Sequence, residues 1–213
     1  MKTTVILLRH AQSEGNLHRI YVGHSELPLS SLGLKQAKVC ADYIAGGGLP
    51  RPDVILSSDL IRAFQTAIPT SIALGVPILP DPALREIYSG KWEGLHFDDI
   101  ARLYPECFRI WREDPANSRP GEGESMRELY QRIGDEFDRI AADYEGKTVL
   151  LVTHATPIRC LHCRAVFGTV DRMGESDWFP NASFTVLESE NSVIRETLGG
   201  FAGHLAGELL FEE

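Results

Sequence analysis

Val5-Ile6-Leu7-Leu8-Arg9-His10 is a four-residue apolar run closed by a cation and a histidine, and Thr148-Val149-Leu150-Leu151-Val152-Thr153-His154 repeats the pattern later in the chain. Short apolar runs of this length read as buried strands. Ligands of α/β proteins collect at the carboxyl edge of such strands, so the two histidines can meet over one sheet. Between them Arg62 follows Ser57-Ser58, just inside a helical stretch, and Glu86 sits in Leu84-Arg85-Glu86. Cations, histidines and a carboxylate at strand and helix ends are the groups that phosphoryl chemistry needs.

Outward from these points, residues 3–8, 53–56 and 148–152 are the strand candidates, separated by longer stretches of helical period. That rhythm predicts a three-layer α/β/α sandwich with a mostly parallel central sheet. A helix is predicted over 125–144, where Met126, Leu129, Ile133, Phe137, Ile140 and Tyr144 share one face and Ser125 with Glu128 forms a capping box. A second begins after Ser57-Ser58 and carries Leu60, Ile61, Phe64, Ala67 and Ile68, with Pro69 expected to kink or shorten it. A third follows His154, with Pro157 tolerated in its first turn and the N–H groups around Ala155 and Thr156 pointing at whatever His154 faces. Residues 183–188 and 192–196 read as short strands at the sheet edge, while 199–213 give little pattern. Residues 87–124, rich in aromatics and charge, read as a covering segment over the sheet edge, too small to hold its own core, within a single domain spanning 1–213.

The chain has 213 residues, 43% hydrophobic and 24% charged, which suits a soluble globule with a sizeable core. A net charge of −9 argues against a nucleic-acid binder, so any anion site must be local. One lysine and a four-residue apolar run are too short for a signal peptide or a membrane span, and the expected compartment is cytoplasmic. Cys40, Cys107, Cys160 and Cys163 are then reduced thiols. Cys160-Leu161-His162-Cys163 has CxxC spacing without a second pair, and reads as one face of a packed helix rather than a zinc site. Oligomeric state stays open, a homodimer included.

Arg9-His10-Ala11-Gln12-Ser13-Glu14-Gly15-Asn16 resembles the Arg-His-Gly signature of the histidine phosphatase superfamily, also called the phosphoglycerate-mutase-like family. Further matches follow in order: Gly23 to Ala37, Ser57 to Ala67 around Arg62, Leu84-Arg85-Glu86 with Gly90, Trp92, Glu93 and Gly94, and Val152-Thr153-His154 with Ile158-Arg159. The resemblance covers nearly the whole chain and implies a phosphoryl-transfer site. Arg9 and Arg62 would neutralise a phosphate dianion with paired N–H donors. His10 would take the phosphoryl group as a neutral nucleophile, its other ring nitrogen fixed by a backbone carbonyl. His154 would donate to the transferring oxygens as a protonated ring, helped by N–H groups near Ala155. Glu86 would protonate the leaving alkoxide and then activate water. Asn16, Ser13 and the Gly23 loop are further phosphate or substrate contacts, with Ser13 equally readable as a local helix cap. The scheme requires no metal and no cofactor, and the partner it implies is a small phosphorylated metabolite.

Departures refine this reading. Ala11 and Ala155 stand where the family usually has glycine, adding a methyl near the expected pocket at each histidine. Ser89 falls at the mutase tyrosine position, Phe97 at its lysine position, and Trp111-Arg112-Glu113 interrupts its paired arginines. A phosphomonoesterase is therefore favoured over the alternatives, mutase-type phosphoryl transfer and a catalytically weak phosphoryl-binding protein. Lys91, Arg102, Arg109, Arg112 and Arg119 could hold a second anion but read better as a solvated face, and His18, His24, His96, His162 and His204 as surface or packing residues.

Overall fold

The first apolar run forms strand β1 (Thr3–Arg9), buried at every position but Thr4, in a computed structural model that describes residues 1–209. Positions 210–213 of the expected domain lie outside the described residues. After β1 come a short helix α1 (Glu14–Leu17), α2 (Ser31–Ala45), β2 (Val54–Ser57), α3 (Ile61–Leu74) and β3 (Ile78–Pro80). The covering stretch holds α4 (Phe97–Leu103) and α5 (Pro105–Glu113), and α6 (Met126–Asp143), β4 (Thr148–Thr153), α7 (Ala155–His162), β5 (Phe184–Glu190) and β6 (Val193–Phe201) complete the chain.

Six strands make one sheet in the order β3-β2-β4-β1-β5-β6, with β1, β2, β3 and β4 mutually parallel and β5 antiparallel to both its neighbours. Alternation along each strand feeds two cores. Val5, Leu7, Leu56, Val149 and Leu151 pack with Leu129, Ile133 and Phe137 of α6 and Ile158 of α7. Ile6, Leu8, Ile55, Leu150 and Val152 turn the other way, onto Ala37, Cys40 and Ile44 of α2 and Ala63 and Ala67 of α3. β1 leads toward α2 on one face and its neighbour β4 leads into α7 on the other. Adjacent parallel strands whose connections leave on opposite faces open a crevice at their carboxyl ends. Among the described residues no helix is long and apolar enough to cross a membrane.

The predicted sandwich is observed, and helix 126–143 starts at Ser125 with the expected capping box to Glu128. Several details differ. The strand after Ser183 lies inside the sheet beside β1, and only β6 is an edge. The opposite edge, β3, has no counterpart in the sequence reading, because three half-exposed residues ending in proline carry too little pattern. Pro69 does not shorten α3, which continues to Leu74 and closes on Gly75 in the left-handed conformation (φ 67°) with its N–H on Ser71 O. The covering segment does hold a small cluster, contrary to expectation: buried Trp92 and Ile100 pack with Tyr21, with Phe97, Phe108 and Trp111 around them. Tyr21, from the loop after α1, supplies the extra apolar surface that the segment lacks by itself. The basic residues of the segment are mostly ion-paired at the surface, Lys91 with Glu122, Arg102 with Asp99, Arg109 with Glu106 and Glu113, and Arg119 with Glu128. Cys160 and Cys163 are buried free thiols packed in the α6/α7 core.

Candidate active site

Strand register brings the two histidines together. Arg9 pairs with Thr153, so His10 and His154 are the next residues on adjacent parallel strands, and their ring centroids lie 5.1 Å apart at 61°. The His10 N–H donates to Thr153 O at 2.8 Å, and His10 O accepts from Asn181 Nδ2 at 3.0 Å and from the Ala182 N–H at 3.3 Å. Nδ1 of His10 lies 2.8 Å from Ala11 O. A carbonyl can only accept, so Nδ1 carries the proton and Nε2 keeps its lone pair. Burial, then the positive charges of Arg62 and Arg9, push the His10 pKa well below its ordinary value.

Ala11 is fully buried, its side chain in the α2/α3 cluster with Leu29 and Ala63. Its N–H donates to Thr66 Oγ1 at 3.0 Å, and its φ is not among the positive ones, so an L-residue fits without strain. Ala155 likewise has ordinary φ, as the first residue of α7.

Both arginines are buried and fixed by main-chain oxygens. Arg9 Nη1 donates to Phe179 O at 2.6 Å. Arg62, in the first turn of α3, donates from Nη1 to Ser25 O (3.1 Å) and from Nη2 to Gly23 O (2.8 Å) and Val22 O (3.4 Å). These contacts orient the planar guanidinium fork. Burial lowers its pKa to about 10, still fully charged at neutral pH.

His154 is fully buried, with Nε2 2.8 Å from Ser58 Oγ and Nδ1 without a hydrogen-bond partner among the described residues. Burial, followed by Arg62, His10, Arg9 and His24, lowers its pKa well below the ordinary value, which favours the neutral ring. Glu86 accepts from the Ile87 N–H (2.8 Å, Oε1) and the Thr156 N–H (3.3 Å, Oε2), which ties it to the start of α7. Burial outweighs these bonds and the attraction of Arg62, and raises its pKa.

The remaining expected contacts have mostly structural places. Ser13 caps α1: its Oγ accepts from the Asn16 N–H at 3.2 Å and donates to Asn16 Oδ1 at 2.8 Å, as the helix-cap reading has it. Asn16 Oδ1 also accepts from the Ser13 N–H and Asn181 Nδ2. Gly23 offers its carbonyl to Arg62 and its N–H to Glu93 at 3.2 Å, so it supports the arginine. Sequence reasoning missed Asn181, the Phe179 carbonyl and Arg132, whose guanidinium holds the carbonyls of Ala83, Arg85 and Glu86 from the polar face of α6. Nothing local marks them, since each contact runs from a side chain to a main-chain carbonyl 46 to 171 residues away.

Residues 5–198 match the profile of the histidine phosphatase superfamily (branch 1). The chain belongs to this superfamily. Among its relatives, phosphoserine phosphatase 1 of Hydrogenobacter thermophilus is 33% identical over 186 residues, 87% of this chain and 86% of that protein. A bifunctional protein of Mycobacterium tuberculosis is 39% identical over 160 residues, 75% of this chain but 43% of its own length, so the chain spans less than half of that relative. Among solved structures, the mycobacterial glucosyl-3-phosphoglycerate phosphatase superposes with a TM-score of 0.81 at 29% identity, covering 93% of this chain and 98% of that one.

Two buried histidines with lowered pKa values should make the fold of this histidine phosphatase superfamily member acid-sensitive. Their folded pKa values lie below the unfolded value of about 6.5, so the unfolded state binds more protons as pH falls. The stability they contribute is complete above about pH 6.5 and is lost as pH falls toward the folded values. Replacing His154 by glutamine should make the loss between pH 6.5 and 5 shallower by up to about 1.4 kcal/mol per pH unit. Urea unfolding at a series of pH values measures this, and identical slopes for the two proteins would refute it.

Proposed function

We propose that the chain is a metal-independent phosphomonoesterase that hydrolyses a small phosphorylated metabolite through a phosphohistidine on His10. The observation that carries this reading is the His10 Nδ1 bond to Ala11 O, which leaves Nε2 unprotonated in a pocket that also lowers its pKa through Arg9 and Arg62. In the first step Nε2 attacks phosphorus, the P–O ester bond breaks, and Glu86 gives its proton to the leaving alkoxide. In the second, the Glu86 carboxylate takes a proton from water, the water oxygen attacks phosphorus, and the P–N bond breaks to release inorganic phosphate. His10 is again neutral and Glu86 protonated. The Arg9 and Arg62 guanidinium groups offset the dianion's charge, and His154 with the N–H groups at the start of α7 offers donors to the transferring oxygens.

Two observations support hydrolysis over mutase-type transfer. Ser89, at the mutase tyrosine position, is fully buried and donates to Glu93 at 2.7 Å, and Phe97, at the lysine position, packs on Tyr21 and Trp111. Neither is placed to hold a sugar acid's second anionic group. The activities named for the similar proteins, toward phosphoserine and glucosyl-3-phosphoglycerate, support a small metabolite as the substrate class.

The test is turnover of an aryl phosphate in excess chelator with rapid quenching. The expected result is phosphate release without added metal and a labelled, acid-labile phosphohistidine at His10. Release that depends on added divalent metal, or label confined to other residues, would overturn the proposal.

A further inference from the structure

The first loop of the site is suspended between two charges. Residues Val22 to Ser25 present their oxygens to Arg62: Gly23 O at 2.8 Å, Ser25 O at 3.1 Å and Val22 O at 3.4 Å. The same residues turn their N–H groups to Glu93: Gly23 at 3.2 Å to Oε2, His24 at 2.8 Å to Oε1 and Ser25 at 3.0 Å to Oε2. Two peptide groups, Val22-Gly23 and Gly23-His24, therefore have the carboxylate on the N–H side and the guanidinium on the C=O side. Each is aligned so that the anion and the cation polarise it in the same sense, and hydrogen bonds in such a chain strengthen one another. Consecutive main-chain N–H groups wrapped around an oxygen anion form a nest.

The carboxylate is further held by Ser25 Oγ at 2.5 Å and by the Ser89 N–H and Oγ at 3.2 and 2.7 Å. Burial alone would raise its pKa, but the Ser25 hydroxyl, the His24 N–H, the Ser89 hydroxyl and the Ser25 N–H more than offset this and keep it ionised. Space is tight as well: a Cβ at Gly23 would lie 2.3 Å from Glu93 Oε1 and 2.5 Å from Ile87 O, so the carboxylate reaches the loop only because residue 23 has no side chain.

We propose that Glu93 is the positioning residue for Arg62: through the Val22-Gly23 and Gly23-His24 peptide groups it fixes the guanidinium in the orientation that receives a phosphate dianion. This rests on the reading of Arg62 as a phosphate ligand. Glu93 itself touches no substrate. An amide at position 93 would keep one acceptor oxygen and turn an NH2 group toward the N–H groups of the loop, so the loop carbonyls would lose their placement on Arg62.

Binding of inorganic phosphate, measured by calorimetry, tests the proposal without requiring turnover. Glu93→Gln should weaken binding about 10-fold in the otherwise unchanged protein and less than about 2-fold in an Arg62→Ala background, because positioning has no object once the guanidinium is gone. Ser25→Ala and Ser89→Ala, which remove contacts to Glu93 but keep both peptide groups, should each change binding less than about 3-fold, and Glu93→Asp should fall between Ser25→Ala and Glu93→Gln. With an alkyl phosphate as substrate, Glu93→Gln should raise KM and lower kcat together, whereas loss of packing alone would show only as a lower melting temperature. If Glu93→Gln fails to fold, the same comparison is made with Glu93→Asp. Equal losses in the two backgrounds, or no loss in either, would overturn the proposal. An Arg62→Ala protein that binds phosphate as tightly as the parent would overturn the reading of the pocket on which it rests.

Discussion

Replacing His10 by alanine should lower aryl phosphate turnover on the order of 10⁴-fold or more while leaving phosphate binding within a few-fold. The proposed nucleophile is a single nitrogen, Nε2, whose lone pair is left available because Ala11 O holds the proton on the opposite side of the ring. His154 is no substitute, since it engages Ser58 through Nε2 at the amino-terminal cap of α7, and the charges acting on His10 are the arginines Arg62 and Arg9. The anion-attracting groups survive the substitution, so binding and chemistry should separate cleanly. Phosphate release and quench labelling of the variant measure the first, calorimetry the second, and added imidazole should restore part of the release. Undiminished turnover in this variant would remove the phosphohistidine step altogether.

Glu86→Gln is the second large effect, a fall in kcat of roughly 10²–10⁴-fold for an alkyl phosphate and much less for a nitrophenyl phosphate, whose leaving group needs no proton. Catalysis in the first step requires a neutral His10 and a protonated Glu86 at the same pH. At ordinary values, about 6.5 for histidine and about 4.3 for glutamate, the carboxyl loses its proton before the imidazole does. Burial moves them in opposite directions, Glu86 upward and His10 downward, which enlarges the fraction of molecules with both groups in the required state. For kcat/KM the acid limb then reports protonation of His10 and lies below the histidine value, and the basic limb reports loss of the Glu86 proton and lies above the glutamate value. Glutamine cannot titrate, so the basic limb should disappear in the variant. A retained basic limb would assign it to another group.

Much of this site was legible before any coordinates because its charged side chains sit at element ends, and element ends follow from the apolar runs that precede them. Val5 to Leu8 and Val149 to Val152 place His10 and His154, and the strand and helix after Asp53 place Arg62. What could not be read acts through the main chain. Phe179 holds Arg9 and Ala11 holds His10 by carbonyl oxygens, and any residue type offers a carbonyl. The packing of Ala11 is hidden for a related reason: its methyl joins the α2/α3 cluster, a placement fixed by backbone geometry that residue identity does not encode. The downward pull on the His154 pKa is equally hidden, because its burial and the two arginines and two histidines around it come from elements distant in sequence.

The pairing of Arg9 with Thr153 has one more consequence. A strand displaced by one residue turns every side chain to the opposite face, so a slip that carried His10 away from His154 would also drive Val5 and Leu7 out of the α6/α7 core. A slip of two would restore the faces but carry the histidine about 7 Å along the sheet and strand the ladder at both ends. The side chains that make the fold cohesive thus act as a ruler for the candidate site: a molecule with His10 misplaced along β1 is a misfolded molecule, and folding itself proofreads the meeting of the two histidines.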